Sequence, residues 1–488
     1  MDRRRSRARG VTPARSPARA WVLVATVALL LAGCAAPEVS PGPSGAATPS
    51  GAPPLAVSLR DAVDPAAVLA DLDRLVEITA QHGGTRAAGS DGYAAAAEWV
   101  AGELRDAGYE VTPTPVSVPW FTQNSPGLLE ILAPGAPALE GPRDFKAMLL
   151  SPPGEVTGPL YALGFDPEAA PDARSGVGCD ASAWAGVPAG AIVLVQPGPC
   201  WNRTMVEHAQ YAGAAALISA NPGWGPGQVL RPTLIDPQGL VIPVLAATRD
   251  AGLALAEAAR AGQEAHIRLS TTTVRRQSDN VVAQTRGGDG GRVVMLGAHL
   301  DSSIDGPGIN DNGTGVAVAL EVARQLAALT HGQPAWKVRV AFWTGEEYGL
   351  WGSADYTGSL VDADRGSIAA YLNLDMLASP GGTRQVYDAA TLSSPASAAL
   401  QRLLAKAFEA DGLDSEPVDI AGASDHYLFD QLGVPVGGII AEAAPGDACY
   451  HLACDTTDNV DAALLGQAAR AAAWATGALA SGRTELAP

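Results

Sequence analysis

Metal-ligating side chains stand in this chain where apolar, strand-like runs stop. His299 and Asp301 follow "RVVMLGA", and Asp311 lies in the loop "DGPGINDNGTG" ahead of a helical segment. Glu346 and Glu347 follow "VRVAFWT", Asp375 follows "IAAYLNL", and Tyr450 and His451 sit in "CYHLACD", beyond the apolar "VGGIIAE". In α/β sheets functional groups collect at the carboxyl ends of strands. Taken singly, such an Asp caps a helix or turns a loop. Two imidazoles and three carboxylates at successive strand ends suit a pair of zinc ions, each with one His and one terminal carboxylate, sharing a bridging carboxylate. Metals about 3.5–4 Å apart are a recurrent device for hydrolysis by an activated water. Neighbours on extended backbone point to opposite sides, so Glu346 and Glu347 have separate roles. Their spacing alone does not assign them.

The elements that must position these groups follow from periodicity. From about residue 280 strands and helices alternate: "NVVAQT", "RVVMLGA", "GVAVALEVARQLAAL", "WKVRVAFWT", "SIAAYLNLD", a helix near 393–410, "VGGIIAE" and a last helix near 462–480. That alternation predicts a largely parallel sheet with helices on both faces. Upstream, "DPAAVLADLDRLVEITAQH" and "SDGYAAAAEWVAGELRDAGYEV" predict two helices, the first capped by Asp64, the second stopped by Gly108 before a strand. Residues 126–270 differ in texture. They hold short β-type runs such as "AIVLVQPG" and "GLVIPVLAAT", many Pro and Gly, and one expected helix, "TMVEHAQYAGAAALIS". The fold class is therefore α/β, a mixed sheet with a mostly parallel core formed by 57–125 and 275–485, interrupted by a small β-rich insert at 126–270.

The N-terminus reads as an export device. A basic segment, the apolar "WVLVATVALLLA" and then Leu31-Ala32-Gly33-Cys34 make a signal peptide at 1–34, too short to span a bilayer. The ending resembles the bacterial lipobox, which would lipidate Cys34 and anchor an extracytoplasmic protein to the cell membrane, or leave it shed as a secreted form. Residues 35–56, rich in Pro, Gly, Ser and Ala, read as a flexible tether. Without residues 1–33, 25 basic side chains face 50 acidic ones, which argues against nucleic acid or anionic lipid as a partner. Four further cysteines form two sequence-close pairs, and an oxidising compartment predicts the bridges Cys179–Cys200 and Cys449–Cys454. A zinc site built from them is disfavoured, because no CxxC spacing occurs.

In this order, "GAHLDS", "GINDNGTG", "TGEEYGLWGS", "LNLDM" and "CYHLACDTTDN" resemble the M28 family of zinc aminopeptidases, secreted bacterial type. "HGGTRAAGSDGYAAAAEWVAGELRDAGYEV" is similar to that family's N-terminal segment, and "GAIVLVQPGPCWNRTMVEHAQYAGAAALI" to a protease-associated (PA) domain. The resemblance implies a zinc exopeptidase-like fold and two zinc ions, with His299 and Asp375 on one, Glu347 and His451 on the other, and Asp311 bridging. It implies Glu346 as general base for a zinc-activated hydroxide, and Asp301 as acceptor for the His299 imidazole. Tyr450 would steady the oxyanion inside the Cys449–Cys454 loop, and a cis peptide is expected at Asp311-Asn312. The substrates would be peptide or protein N-termini. Calcium has no support in the sequence.

Other readings are weaker. A catalytically silent receptor of this architecture would have lost ligands, and all are present here. Carboxypeptidase relatives with a PA domain continue into a large helical domain, whereas 37 residues follow His451. A glutaminyl-cyclase-like enzyme would use a single zinc. "SDHYLFD" (Ser424, Asp425, His426) cannot form a nucleophilic triad from adjacent residues and reads as structural or pocket-lining. His82 and His208 read as surface or loop groups, and Trp201, Trp224, Trp343 and Trp351 as core or cleft aromatics.

Overall fold

The computed structural model describes residues 53–166, 175–220, 229–443, 446–484 and 486. Cys34, the signal segment 1–34, Trp224 and all of the 35–56 tether except its last four residues lie outside the described residues. Among the described residues no helix is long and apolar enough to cross a membrane.

Two mixed sheets organise the chain. The larger has eight strands in the order Glu110–Gln123, Thr271–Gln284, Trp336–Trp343, Asp289–His299, Ile368–Leu374, Val436–Ile440, Gln385–Tyr387, Glu416–Val418. Its four central strands, from Trp336–Trp343 to Val436–Ile440, are parallel, and antiparallel partners flank them on both sides. The central strands read as unbroken apolar runs because helices cover both faces. Leu296, Val340, Phe342, Leu372 and Ile439 are buried in one core with helices Pro65–Gln81, Asp91–Asp106, Thr314–Thr330, Ser397–Glu409 and Ala462–Ala480. Each such side chain stabilises the fold by about 1.5–3 kcal/mol through water exclusion alone. Parallel strands put their carboxyl ends on one edge, which is where the ligating residues fall.

The second sheet, seven-stranded, runs Leu128–Ile131, Glu264–Leu269, Gly154–Ala162, Ile192–Val195, Ala216–Ala220, Val244–Ala247, Phe145–Ala147. The long antiparallel pair Glu110–Gln123 and Thr271–Gln284, in register over its full length, carries the chain out to this sheet and back.

Two local expectations need correction. "TMVEHAQYAGAAALIS" is not one helix: it is helix Asn202–Tyr211, a turn, and strand Ala216–Ala220. Gly213 takes φ +83, which ends the helix, and the Ala-Leu-Ile run beyond is buried on both sides, where periodicity cannot tell strand from helix. The insert also holds a second helix, Arg249–Arg260, capped by Thr248. At the other end, the last residues of the tether already form helix Pro54–Ala62, which packs on Ala462–Ala480.

Candidate metal centre

Each ligating group is delivered by a strand end or by the loop that follows. His299 is the last residue of Asp289–His299, Asp375 comes directly after Ile368–Leu374, and Glu346 and Glu347 follow Trp336–Trp343 after two residues. Asp311 lies in the kinked turn Ile309–Gly313, where its backbone leaves helical geometry (φ −109°, ψ 92°), and its peptide bond to Asn312 is cis. His451 sits in the turn closed by the Cys449–Cys454 disulfide, with a left-handed φ of 57°. The second disulfide, Cys179–Cys200, lies in the insert.

The loops bring the five groups into two sets that share one carboxylate. His299 Nε2 lies 3.3 Å from both Asp311 Oδ1 and Asp375 Oδ1. His451 Nε2 lies 3.1 Å from Asp311 Oδ2 and 2.9 Å from Glu347 Oε2. In each set every residue offers one ligand atom within 4.8 Å of the others. The donor chemistry, imidazole nitrogen with carboxylate oxygen, is that of zinc. Among the described residues, nothing donates a hydrogen bond to the buried Glu347 Oε1, and Asp375 Oδ1 has only the His299 imidazole beside it, an arrangement that a bound cation would relieve. The residues present therefore fit a zinc pair.

Burial alone would discharge both imidazoles. Asp375, Glu346 and Asp311 around His299, and Glu347 and Asp311 around His451, outweigh it and hold both well above the ordinary histidine range. For Asp311 burial pushes up, but the two imidazoles win and hold it below the carboxylate range. Burial raises Glu346 and Glu347, and carboxylates nearby raise them further. Tyr450 stacks on the His451 ring (centroids 3.8 Å apart, planes at 22°). Burial and then the carboxylates of Asp311 and Glu347 keep it a neutral phenol.

Asp301 behaves differently from the expectation. His299 Nδ1 meets the Asp301 main-chain carbonyl at 3.1 Å, while the carboxylate stands 3.9 Å away. That carboxylate, fully buried, accepts instead from the backbone N–H of Glu346 at Oδ1 (3.2 Å) and of Glu347 at Oδ2 (3.3 Å). Contrary to the expectation, the backbone here is not extended: after Gly345 (φ 70°) the chain turns, with the Glu346 carbonyl accepting from Gly349 and Leu350, and the turn aims both amides at one carboxylate.

Three positioning groups escape sequence reasoning. Asp455 accepts the backbone N–H of Asn310 (2.9 Å) and of Asp311 (3.0 Å), holding the shared ligand's loop. Ser424 donates to Asp375 Oδ2 at 2.7 Å, so the "SDHYLFD" segment does touch a ligand. Arg86 is wholly buried and donates to the carbonyls of Leu300, Pro307 and Gly308, tying together the two ends of the 300–308 loop. The motifs "SDHYLFD" and "HGGTRAAGS" are visible in the sequence, but not what they bond. His82 and His208 each bond a backbone carbonyl away from the centre, Ile78 and Gly178 respectively.

The model of peptidase family M28 matches residues 280–476, and that of the PA domain matches residues 156–255. A probable lipoprotein aminopeptidase, LpqL, of Mycobacterium tuberculosis is 35% identical, covering 86% of this chain and 86% of its own. An aminopeptidase of Pseudomonas aeruginosa is 34% identical, over 81% of this chain and 77% of its own. Among solved structures, an aminopeptidase from Aneurinibacillus sp. strain AM-1 superposes with TM-score 0.69 at 25% identity, covering 86% of this chain and 95% of that one. A zinc aminopeptidase from Bacillus subtilis gives 0.63 at 23%, covering 85% and 95%.

Proposed function

The chain belongs to peptidase family M28 and is a zinc-dependent aminopeptidase, and from that premise we propose that it works with two zinc ions. His299 and Asp375 would hold one, Glu347 and His451 the other, and Asp311 would be shared between them. One observation carries this reading: Asp311 turns its two oxygens to two different imidazoles, Oδ1 to His299 and Oδ2 to His451. When bound, the zinc pair supplies a water acidified to near neutral pH and a Lewis acid for the scissile carbonyl.

The protein's own residues do the rest. Glu346 takes a proton from the attacking water at its carboxylate and hands it to the departing amine, so that one peptide bond and one water become an amino acid and a shortened peptide. The two N–H bonds to Asp301 hold Glu346 and Glu347 apart, one toward substrate, the other toward metal. Tyr450 donates its phenolic hydrogen to the oxyanion that develops at the carbonyl. Carboxylates outnumber imidazoles at the centre, which favours the α-ammonium of a free N-terminus and so exopeptidase action. A cavity of about 140 Å³ is lined by Tyr387, Leu392, Val418 and Ile420 and by the polar Ser393, Asp419, His426 and Asp430. Its apolar wall belongs to the same cluster as Tyr450 and Met376.

The parts of the chain follow: 57–125 and 275–485 form the peptidase domain and 126–270 the inserted PA-like domain. Lipid on Cys34 anchors the enzyme outside the cytoplasm, a reading that the lipoprotein name of the mycobacterial relative supports. The test is Glu346→Gln beside Glu347→Gln, with zinc content and release of an aminoacyl reporter measured on each. Glu346→Gln should keep both zinc ions and lose turnover by several orders of magnitude. If it loses metal while Glu347→Gln keeps it, the two roles are reversed.

A further inference from the structure

The insert touches the peptidase half at places that bear on the chemistry. Loop 300–308 joins His299 to the turn that carries Asp311, and its midpoint, Asp305, meets two cations of the insert. Lys146, from strand Phe145–Ala147, reaches Asp305 Oδ2 at 3.0 Å, and Arg231 reaches Oδ2 at 3.1 Å and Oδ1 at 3.4 Å. Side-chain exposure is 10% for each cation and 20% for Asp305, so the pairing is largely screened from solvent. Burial pushes the Asp305 carboxyl up, but Arg231 and Lys146 outweigh it and hold it below the ordinary range. Arg231 is itself fixed by the Ala147 carbonyl (2.8 Å) and Gln123 Oε1 (3.3 Å).

The segment beginning at Arg231 then runs along the second catalytic loop. Thr233 Oγ1 donates to the Tyr348 carbonyl at 3.0 Å, and Trp351 Nε1 donates to the Ile235 carbonyl at 3.1 Å. Gly349 gives Ile235 its room: a Cβ there would stand 2.8 Å from Ile235 Cγ2. Tyr348, the residue after the paired glutamates, is buried in the insert's apolar core, and Ile304, next to Asp305, packs on that core. The segment is pinned to the insert by Leu149, whose N–H donates to Pro232 and whose carbonyl accepts from Leu234.

We propose that the inserted domain is a positioning part of the active site. Lys146 and Arg231, acting through Asp305, and segment 231–235, acting through Tyr348 and Trp351, hold in register the two loops that carry Asp311 and the Glu346-Glu347 pair. This rests on the roles given above to those residues. Arg86 closes the 300–308 loop from the inside, and the cation pair braces it from the outside. None of these insert residues is one of the assigned ligands or catalytic groups, so each works through the loop that it holds.

The test uses the full chain with Arg231→Met, Asp305→Asn and Thr233→Val, and Arg231→Lys as the conservative variant, each corrected to zinc-loaded folded protein. Loss of the brace should lower kcat about tenfold with KM changed by less than about twofold, the size expected when support behind a ligand is lost. Zinc should also leave faster to a chelator, and Arg231→Lys should restore most of both. Thr233→Val removes no charge, so it reads the second contact even if a charge variant fails to fold. Normal kcat and normal zinc loss in all of them, with only the melting temperature lowered, would reduce the insert to a docked neighbour and overturn the proposal. Glu346→Gln run in parallel separates the two readings. If it stays active the site assignment fails, and if it alone is inactive only the brace fails.

Discussion

Ser424 donates its hydroxyl proton to Asp375 Oδ2 across 2.7 Å, and the bonds behind it force that direction. Trp343 Nε1 can only donate, and it gives to Tyr371 OH at 2.8 Å. Tyr371 therefore passes its own proton to Asn373 Oδ1, also at 2.8 Å. With its oxygen engaged, Asn373 turns Nδ2 toward Tyr387 OH (2.9 Å) and Ser424 Oγ (2.8 Å). Ser424 Oγ already accepts, so its single proton goes to Asp375. The relay holds that carboxylate as an acceptor with one oxygen occupied and the other left for metal.

Ser424→Ala should therefore weaken zinc binding or kcat/KM by about 10–100-fold, the usual scale for losing a bond behind a metal ligand. Asp375 keeps its charge but loses its orientation. Zinc affinity by chelator competition, measured with steady-state kinetics, checks this. An unchanged affinity and an unchanged kcat/KM would mean that Asp375 is held by its backbone alone.

Asp301→Asn separates the two bonds that Asp301 makes. The contact to His299 runs through the main-chain carbonyl and survives the substitution. The carboxylate contacts do not both survive, because an amide sets one NH₂ group against either the Glu346 or the Glu347 N–H. Zinc on His299 should be retained while kcat drops by about 2–4 kcal/mol of transition-state stabilisation, or roughly 30–1,000-fold, as for other lost charged partners of buried donors. Metal analysis with kcat on the same preparation decides it. Loss of zinc with little change in the remaining turnover per metal would restore the side chain as the orienter of His299.

The five ligating residues and the parallel core are legible because both follow from type and order along the chain: apolar runs, then a hard ligand at each end. What stays hidden depends on direction. Nothing in "GAHLDS" tells whether the carbonyl or the carboxylate of Asp301 faces the imidazole, and nothing in "SDHYLFD" tells that Ser424 reaches a carboxylate 49 residues upstream. Arg86 sits among alanines and glycines in a segment with no charged neighbour, so its three carbonyl partners, distant in sequence, leave no local trace. The helix expected at 204–219 fails for a related reason. Burial on every side erases the periodicity from which helix and strand are told apart.

Arg86→Met should be among the most destabilising single changes outside the ligands. The guanidinium is fully buried, and burial lowers its pKa to about 10, with Asp455 and Asp301 opposing, so it stays charged at neutral pH. Methionine fills much of the volume but leaves three carbonyls in a dry site, each costing about 1–3 kcal/mol when unsatisfied. A loss of at least about 3 kcal/mol in denaturant unfolding is expected, with Arg86→Lys intermediate because an ammonium can reach fewer of the three. A loss below about 1 kcal/mol would show that water replaces the side chain.

Zinc binding should release protons, and its pH dependence has a definite sign. In the metal-free site burial alone would lower His299 and His451, but the surrounding carboxylates raise both imidazoles well above the ordinary histidine range, so near neutrality they carry protons. Zinc takes the neutral imidazole, so those protons must leave as it binds. Affinity therefore falls as pH drops below the raised values and climbs as pH rises through neutrality toward them. The slope approaches about tenfold per pH unit for each proton displaced. Calorimetric titration of zinc into the metal-free chain, repeated in buffers of different ionisation enthalpy, counts the protons directly. A count of about two near pH 7 is expected, one from each imidazole. A count of zero, with affinity flat from about pH 6 to 8, would place both imidazoles in the neutral form before the metal arrives and remove the carboxylates' hold on them.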